Sequence, residues 1–333
     1  MLKKMVRSML LTSLLIILIG AFRSPFGVAY KIERQPILIA SDNDFLSNQF
    51  PGTGTKENPY IIENYKITST GSMTNAIEVR DTSKYFIIWN CQITASYIGI
   101  LVENVSPGTA SVINNTITAS TSDGGGIVLG ADGVLVSNNT CTNFIDGIHT
   151  NYASDCIIRD NNFSKNHYHG ISLRYSDNNV ATHNTITNNG AYAVLIIRES
   201  ASNKIFNNTI IDNAKIESYD WDSIYNFVVE QQALDAGSNN VWYDAENKRG
   251  NAWSDYSGTG EYTIDGSAHA VDKYPRKGQS TSPGTEHPQE SVDTQTGVPG
   301  FMAESIMIGV ITAVTISLLV QRPRSMTRTH PLL

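Results

Sequence analysis

The chain has 333 residues, with 24 Lys and Arg against 31 Asp and Glu and a formal net charge of −7. This acidic balance argues against nucleic acid as a partner, because proteins that bind phosphate backbones carry basic surfaces. Its three cysteines, Cys91, Cys141 and Cys156, fit neither a disulfide framework nor a CxxC metal site. We expect them to be buried thiols, with a Cys141–Cys156 disulfide as the alternative.

The N-terminus has the pattern of a targeting segment. Lys3, Lys4 and Arg7 precede an apolar run over residues 9–22. Small residues follow up to Ala29, where a signal peptidase could cleave. We predict that residues 1–29 are a signal peptide, and the alternative is an uncleaved N-terminal anchor.

A repeated dipeptide organises the middle of the chain. Gly-Ile or a close variant recurs six times, and its apolar member returns after 23, 27, 21, 23 and 23 residues. The apolar members are Ile77, Ile100, Ile127, Ile148, Ile171 and Val194. Each opens a short alternation of apolar and polar residues, which is typical of a strand with one buried face. Three short strands per repeat predict an all-β solenoid of roughly eight to ten stacked coils of about 23 residues.

A series of Asn residues runs in step with this dipeptide. It includes Asn90, Asn114-Asn115, Asn138-Asn139, Asn161-Asn162, Asn184 and Asn207-Asn208. At one corner of successive coils, such side chains can stack their amides. The repeat is lost over 51–62 and again over 237–264, where aromatic residues are dense. We expect these two segments to cap the open ends of the column, since exposed sheet ends invite pairing with other chains.

The closing segment carries the most specific motifs. They are Gly237-Ser-Asn-Asn240, Gly250-Asn-Ala-Trp253-Ser-Asp255-Tyr256 and Val271-Asp-Lys-Tyr-Pro275. With the repeats, they resemble the right-handed parallel β-helix repeat family of the NosD-like and carbohydrate-binding/sugar-hydrolase (CASH) type. The resemblance implies a right-handed parallel β-helix with end caps over 30–275. It implies function only as a surface or periplasmic module, often linked to sugars or copper.

The C-terminal segment resembles a membrane anchor. Residues 276–300 are rich in Ser, Thr, Gly, Pro and Gln and predict a flexible stalk. Residues 301–320 are mostly apolar and long enough to cross a bilayer as a helix. Three arginines follow in the tail over 321–333, which the positive-inside rule places in the cytoplasm. We therefore expect a single C-terminal anchor in the cell membrane, with the β-helix extracellular or periplasmic.

Acceptor sequences for N-glycosylation accompany this topology. Asn114, Asn138, Asn162 and Asn207 begin Asn-X-Ser/Thr sequences that are candidates for a glycoprotein surface. All four arise from the Asn-Asn repeat itself, and a fifth acceptor sequence at Asn104 is followed by Pro107, so the count adds little independent weight.

One outward patch of the predicted coils carries candidate chemistry. Asp146 and His169 hold the same offset from the repeating Ile, so they should be neighbours in adjacent coils. With His149 and Arg174 they form a candidate catalytic set, in which the carboxylate orients an imidazole and the guanidinium grips an acidic sugar. Further candidates for ligand contact are Asn151, His167, Tyr168, Tyr192, Arg198 and Glu199.

Recognition of carbohydrate or of another cell-envelope component is the function that these features favour. The alternative is a polysaccharide lyase or epimerase that acts on acidic sugars. A copper-related role, with His149, His167 and His169 as ligands, and a purely structural surface protein remain further alternatives. No cofactor is predicted, because no Asp-x-Asp-x-Asp-Gly calcium motif occurs and the loop after Tyr256 is short. The sequence specifies no oligomeric state.

Overall fold

A computed structural model describes residues 31–280, apart from 217, 223, 224 and 230 and the side chains of 218–222 and 225–228. The predicted signal segment, nearly all of the stalk, the membrane helix and the basic tail lie outside the described residues. No helix among the described residues is long and apolar enough to cross a membrane. The described chain forms a parallel β-solenoid of about nine turns.

Three parallel sheets form the faces of the solenoid, and each coil contributes one strand to each sheet. Sheet A has β1 (Ile32–Arg34), β4 (Tyr65–Thr68), β7 (Gln92–Ala95), β10 (Thr116–Ala119), β13 (Thr140–Thr142), β16 (Asn162–Ser164), β19 (Thr185–Thr187), β22 (Thr209–Ile211), β26 (Ala252–Trp253) and β29 (Arg276–Lys277). Sheet B has β2 (Ile37–Ile39), β5 (Ile77–Thr82), β8 (Ile100–Val105), β11 (Gly125–Gly130), β14 (Asp146–Asn151), β17 (His169–Arg174), β20 (Val194–Ile197) and β25 (Ala233–Asp235). Sheet C has β3 (Tyr60–Glu63), β6 (Phe86–Trp89), β9 (Ala110–Ile113), β12 (Leu135–Ser137), β15 (Ile157–Arg159), β18 (Val180–Thr182) and β21 (Lys204–Phe206).

Shorter elements complete the fold. The helix α1 (Asp44–Ser47) lies in the first coil. Two antiparallel pairs are inserted near the end, β23 (Ser218–Asp222) with β24 (Tyr225–Val228) and β27 (Tyr262–Thr263) with β28 (Val271–Asp272). Because β29 pairs with β26, the column continues to Lys277, two residues past the predicted boundary at 275.

The predicted register of the repeat is confirmed. Ile77, Ile100, Ile127, Ile148, Ile171 and Val194 pair in succession along sheet B and are all fully buried. Their stack forms one wall of the apolar column, since residues two apart on a strand share a face. Cys91, Cys141 and Cys156 are free and buried, so the expected buried thiols are found and the alternative disulfide is not. Burial raises the pKa of the Cys91 thiol to about 11.

The Asn-Asn repeats divide two tasks between neighbouring residues. In the pairs other than 161–162 the first Asn, as at Asn138 (φ 56°), takes the left-handed conformation at a corner, which Asn tolerates better than most residues. The second, as at Asn139, points inward and donates through Nδ2 to Asn161 Oδ1 at 3.1 Å. At 161–162 the roles are shifted by one residue, because Asp160 takes the left-handed conformation and Asn161 points inward. The ladder continues in one direction through Asn115, Asn139, Asn161, Asn184, Asn208 and Asn251. The predicted amide stacking is therefore confirmed, as a chain of hydrogen bonds inside the column.

Two more polar ladders run inside the other corners, and all three end in the C-terminal cap. Asn166, Asn189, Asn213 and Gln232 form the second ladder, and Asn179, Asn203 and Asn240 form the third. Each last amide donates to a carboxylate that also accepts a hydrogen bond from an aromatic side chain. Asn251 and Trp253 donate to Asp272, Gln232 and Tyr262 donate to Asp255, and Asn240 and Trp242 donate to Asp235. A carboxylate oxygen accepts hydrogen bonds, so it can end a ladder whose free end is a donor.

Aromatic residues cover both ends of the column, and at the N-terminal end the cover includes α1, which precedes the predicted cap segment 51–62. At the N-terminal end, Phe45 of α1 stacks on Tyr60, with ring centroids 4.6 Å apart. At the C-terminal end, Trp253 stacks on Tyr262 at 4.0 Å, and both rings are buried. Aromatic rings supply the large apolar cover that an open solenoid end needs.

Candidate functional site

The candidate residues lie on the outer face of sheet B. Backbone pairing places Gly125, Asp146 and His169 in one row across β11, β14 and β17. Val128, His149 and Ser172 form a second row, three residues further along the same strands. The predicted neighbourhood of Asp146 and His169 in adjacent coils is therefore what the structure shows.

Asp146 lies at the centre of a compact polar cluster. Its Oδ1 is 2.6 Å from Nδ1 of His169, and its Oδ2 is 3.2 Å from Nδ1 of His149. Nη2 of Arg174 lies 3.6 Å from the same Oδ2, and Nε of Arg174 donates to Oγ of Ser172 at 3.0 Å. The four residues of the candidate catalytic set are thus brought together around one carboxylate.

The charge balance of this cluster keeps Asp146 ionised. Burial by itself would raise the pKa of Asp146, but the positive charge of His169 and the hydrogen bonds from His149 and His169 hold that pKa well below its usual range. Because an ionised carboxylate is only an acceptor, the Nδ1 atom of each imidazole must carry the proton. In a neutral ring this leaves Nε2 of His149 as an acceptor for a ligand hydroxyl.

The structure buries part of the candidate set. Side chains of His169 and Arg174 are only 1% and 6% exposed, whereas that of His149 is 20% exposed. Tyr192 is fully buried, and its ring lies parallel to that of His169, with centroids 6.1 Å apart. Accessibility therefore separates His149 from His169 and Arg174.

A second apolar cluster, outside the column, explains this burial. It consists of Ala191, Tyr192, Leu195, Ile197 and Leu234, with Tyr168, Ile216 and Val229 packed against it. Leu195 and Leu234 continue the outward row of His149 and Ser172. The chain between β22 and β25 contributes Ile216 and Val229, so the outer face of sheet B is covered in its C-terminal half.

The remaining predicted ligand residues are spread around this covered half. Asn151 and His167 are exposed, and the His167 ring lies 5.0 Å from that of the half-buried Tyr168. Arg198 and Glu199 lie just past the end of β20, with left-handed φ values of 58° and 62°. Asn151 is paired with Arg174 on the neighbouring strand, but the side chain of Arg174 points to Asp146. These residues border the polar cluster, and only Asn151 continues the strand that carries His149.

A pocket of about 330 Å³ opens beside Asp146, on the uncovered half of the face. It is lined by Tyr97, Ile98, Gly124, Gly125, Val128, Ile145, Asp146 and His149. The pocket exists because Gly125 has no side chain in the row that Asp146 and His169 continue. A Cβ atom at Gly125 would lie 2.7 Å from Cγ2 of Val128, and one at Gly124 would lie 2.2 Å from the carbonyl oxygen of Tyr97.

Sequence reasoning missed Tyr97, Gly124 and Gly125. Two signals were available in the sequence. The longest interval of the repeat, 27 residues, separates Ile100 from Ile127, and three consecutive glycines (124–126) lie within it. Extra chain followed by side-chain-free positions is what a recess next to a repeated strand requires.

The histidines of the described residues are not arranged as a metal site. His183 lies at a different corner, where its Nε2 is 2.9 Å from Nδ2 of Asn207. Among residues 31–280 as described, no group of three or more His, Cys, Asp or Glu side chains is arranged to hold a metal ion.

The fold defines the class as a parallel β-solenoid consistent with a right-handed β-helix. Residues 52–210 match the family described as the right handed beta helix region. Among solved structures, the A-module of mannuronan C-5 epimerase AlgE6 from Azotobacter vinelandii is similar at 15% identity, over 77% of this chain and 89% of that one, with a TM-score of 0.30. A likeness at that level carries no argument about function. No curated protein matches the chain.

Proposed function

We propose that this chain is a carbohydrate-recognition module whose binding site is the pocket beside His149. The observation that carries the proposal is the recess at Gly125, which gives a ligand access to one face of the polar cluster. Its volume of about 330 Å³ is within the range of small-molecule sites. Tyr97 and Val128 supply apolar surface, and His149 supplies a polar group held in one tautomer, a combination that suits a sugar ring.

The charges around the pocket favour an uncharged sugar. Its lining includes the ionised Asp146, but no Lys or Arg. A uronate would bring a second carboxylate next to Asp146 without a cation to compensate it, since Arg174 is buried and directed to Asp146 itself. The pocket therefore suits neutral sugars better than the acidic sugars of the lyase or epimerase alternative.

A lyase or epimerase is the second candidate. The hydrogen bond between Asp146 and His149 favours it, because a carboxylate that orients an exposed imidazole is the arrangement of a general base. Both reactions begin by removing a proton next to a sugar carboxylate, and they need a cation on that carboxylate. The pocket lining offers no Lys or Arg for this role, so binding without chemistry is the function that we prefer.

We also propose that the β-solenoid is held outside the cell membrane by residues 301–320. The support is the apolar stretch with its following arginines, together with exposed Asn114, Asn138 and Asn162 in glycosylation sequences. Deletion of 301–333 should release the chain from the membrane fraction into the medium or periplasm. Retention of the truncated chain with the membrane would contradict the anchor.

The test of the pocket is a pair of matched variants of the full-length chain. Val128→Phe places a bulky ring in the pocket from an outward position of β11, and Val180→Phe makes the same change at an outward position of sheet C. Both proteins would be applied to an array of neutral and acidic mono- and oligosaccharides. Any sugar bound by the wild type should bind at least about tenfold more weakly to Val128→Phe, a change of about 1.4 kcal/mol, and unchanged to Val180→Phe.

Three outcomes would speak against the proposal. Equal loss in both variants would indicate a general folding defect, and equal retention would place the site elsewhere. Retention of an acidic glycan, with an unsaturated product detected by ultraviolet absorbance and lost in His149→Ala, would make the protein a lyase instead.

A further inference from the structure

An exposed pair of stacked aromatic rings lies at the other end of the strand that carries Asp146 and His149. Tyr152 and Tyr175 follow β14 and β17, and their rings are parallel within 3°, with centroids 4.6 Å apart. Tyr152 is 65% exposed, the second largest value among the exposed large hydrophobic side chains of the described residues. The outer ring of the pair is therefore held in a fixed orientation by the inner one, while most of its surface stays in water.

Backbone geometry adds to this picture. Tyr152 and Tyr175 have φ values of 55° and 47°, in the left-handed region that bulky residues rarely adopt. Earlier coils of the same sheet place Asp81 and Asn104 at this corner, and the coil after Tyr175 places Arg198 there. Two tyrosines on successive coils hold this left-handed conformation, and neither belongs to the apolar core of the column. Such strain is characteristic of functional sites.

One face of the Tyr152 ring is open. Tyr175 covers the face toward the following coil, whereas the preceding coil places Ala131 next to Tyr152, since Gly130 comes opposite Asn151. Ala131 is small and 5% exposed, so it leaves space beside the ring. A sugar ring stacks on an open aromatic face of this kind, and here the exposed Asn151 directly precedes the ring in the chain.

The pocket and the Tyr152 ring are aligned along one coil. Asp146 begins β14 and Tyr152 directly follows its last residue, so six residues of extended chain, about 20 Å, separate them. Outward positions between these two points are Val128 and Gly130 on β11, beside His149 and Asn151 on β14. The surface between the pocket and the ring therefore carries no outward side chain larger than an imidazole. Its length matches that of several linked sugar rings.

Charge along this path points to the same ligand class as the pocket does. The outward residues of β8, β11 and β14 include Glu103 but no Lys or Arg. A polyanionic glycan would meet only like charge from these strands.

We propose that Tyr152 forms a second sugar subsite and that the ligand is a linear, neutral oligosaccharide lying parallel to β14, from the pocket to the Tyr152 ring. This inference rests on the proposed function, because it takes the pocket as the first subsite. It adds chain length and linearity to the specificity.

The test is a length series on the full-length chain. Neutral gluco-, manno- and N-acetylglucosamine oligosaccharides of one to six rings would be titrated by calorimetry or NMR. The variants are Tyr152→Asn, which removes the ring but suits the left-handed backbone, and Tyr152→Phe, which keeps the ring. Affinity should rise with length in the wild type and in Tyr152→Phe. Tyr152→Asn should lose about tenfold for the longest oligosaccharides, the effect of an aromatic contact of about 1.5 kcal/mol, and nothing for the monosaccharide.

The failure of this inference differs from the failure of the proposed function. If affinity does not depend on length, or if Tyr152→Asn binds long oligosaccharides like the wild type, while Val128→Phe still abolishes binding, the second subsite is wrong and the pocket stands. If Val128→Phe binds every sugar like the wild type, or if no sugar of any length binds, the proposed function fails and the second subsite with it.

Discussion

Two buried carboxylates, Asp146 on sheet B and Asp272 in the C-terminal cap, show how differently one side chain can be used in this solenoid. Asp146 is surrounded by groups that can be cationic, namely His169, His149 and Arg174, and its pKa lies below the usual value. Asp272 accepts hydrogen bonds from neutral groups, namely the backbone N–H and the side-chain amide of Asn251 and the indole N–H of Trp253. Burial raises the pKa of Asp272. The charge of the donors, rather than burial alone, decides in which direction the pKa of a buried carboxylate shifts.

The carboxylates of the two regions also differ in the role that their hydrogen bonds serve. In the cap, Asp235, Asp255 and Asp272 each end a ladder and hold an aromatic ring over the core, so their role is completed inside the protein. On sheet B, the carboxylate fixes a ring that stays partly exposed beside a pocket. The first arrangement gives stability, and the second presents a polar group to a ligand.

The largest effect is expected from a carboxylate in the middle of a ladder. Asn139→Asp would remove the Nδ2 donor that serves Asn161 and the carbonyl oxygens of Val112 and Ser137, and would bury an uncompensated charge. We expect a loss of at least about 3 kcal/mol in unfolding by denaturant. Asn138→Asp, one residue earlier at an exposed left-handed corner, is the matched control and should leave the midpoint nearly unchanged. Equal midpoints for the two variants would contradict the ladder as a source of stability.

A smaller effect is expected at the end of the same ladder. Asp272→Ala would leave the donors of Asn251, Trp253 and Tyr274 without their acceptor in the cap. Unsatisfied buried donors of this kind destabilise by about 1–3 kcal/mol each, partly relieved by water at the end of the column. Glu246→Ala, at an exposed position of the same cap, is the control, with no expected change in the unfolding midpoint. A stable Asp272→Ala protein with an unchanged midpoint would show that the ladder needs no terminal acceptor.

The smallest effect, and the sharpest contrast, is in the dependence of stability on pH. The pKa of Asp146 is lowered from 3.8 in the folded state, so its stabilisation is complete above about pH 4 and is lost as the pH falls. The pKa of Asp272 is raised from 3.8, so its contribution is complete below that value and is lost as the pH rises through the raised pKa.

Asp146→Asn and Asp272→Asn should therefore deviate from the wild type in opposite ways. Between pH 3 and 7, the stability deficit of Asp146→Asn should grow with pH, and that of Asp272→Asn should shrink. Thermal unfolding of the three proteins across this range measures both slopes. Parallel curves for the two variants would mean that the two carboxylates do not differ in their ionisation.

The sequence was sufficient for everything that the repeat determines. The period of the Gly-Ile dipeptide predicts the register, and with it the pairing of Asp146 with His169 and the stacking of the Asn ladders. Each depends only on which residues occupy equivalent positions of neighbouring coils. The burial of His169 could not be predicted in this way, because the cover includes Ile216 and Val229, which belong to a non-repeating segment.

The pocket and the role of the cap carboxylates could be predicted from the sequence only in part. The glycines at 124–126 were visible as a departure from the repeat, but a recess needs the shape of the adjacent coils as well. Asp235, Asp255 and Asp272 were part of the tail motifs, yet their common role becomes apparent only when the ends of three ladders are seen together.

The most direct test of the central claim compares the imidazoles on either side of Asp146 in one titration. With the sugar selected on the array, ¹⁵N NMR of the histidine rings should show a shift at Nε2 of His149 that saturates with ligand. His169, buried on the other side of the carboxylate, should move much less, and the exposed His167 should not move. Saturable binding that leaves His149 unchanged, or that moves His167 instead, would contradict the assignment of the pocket as the binding site.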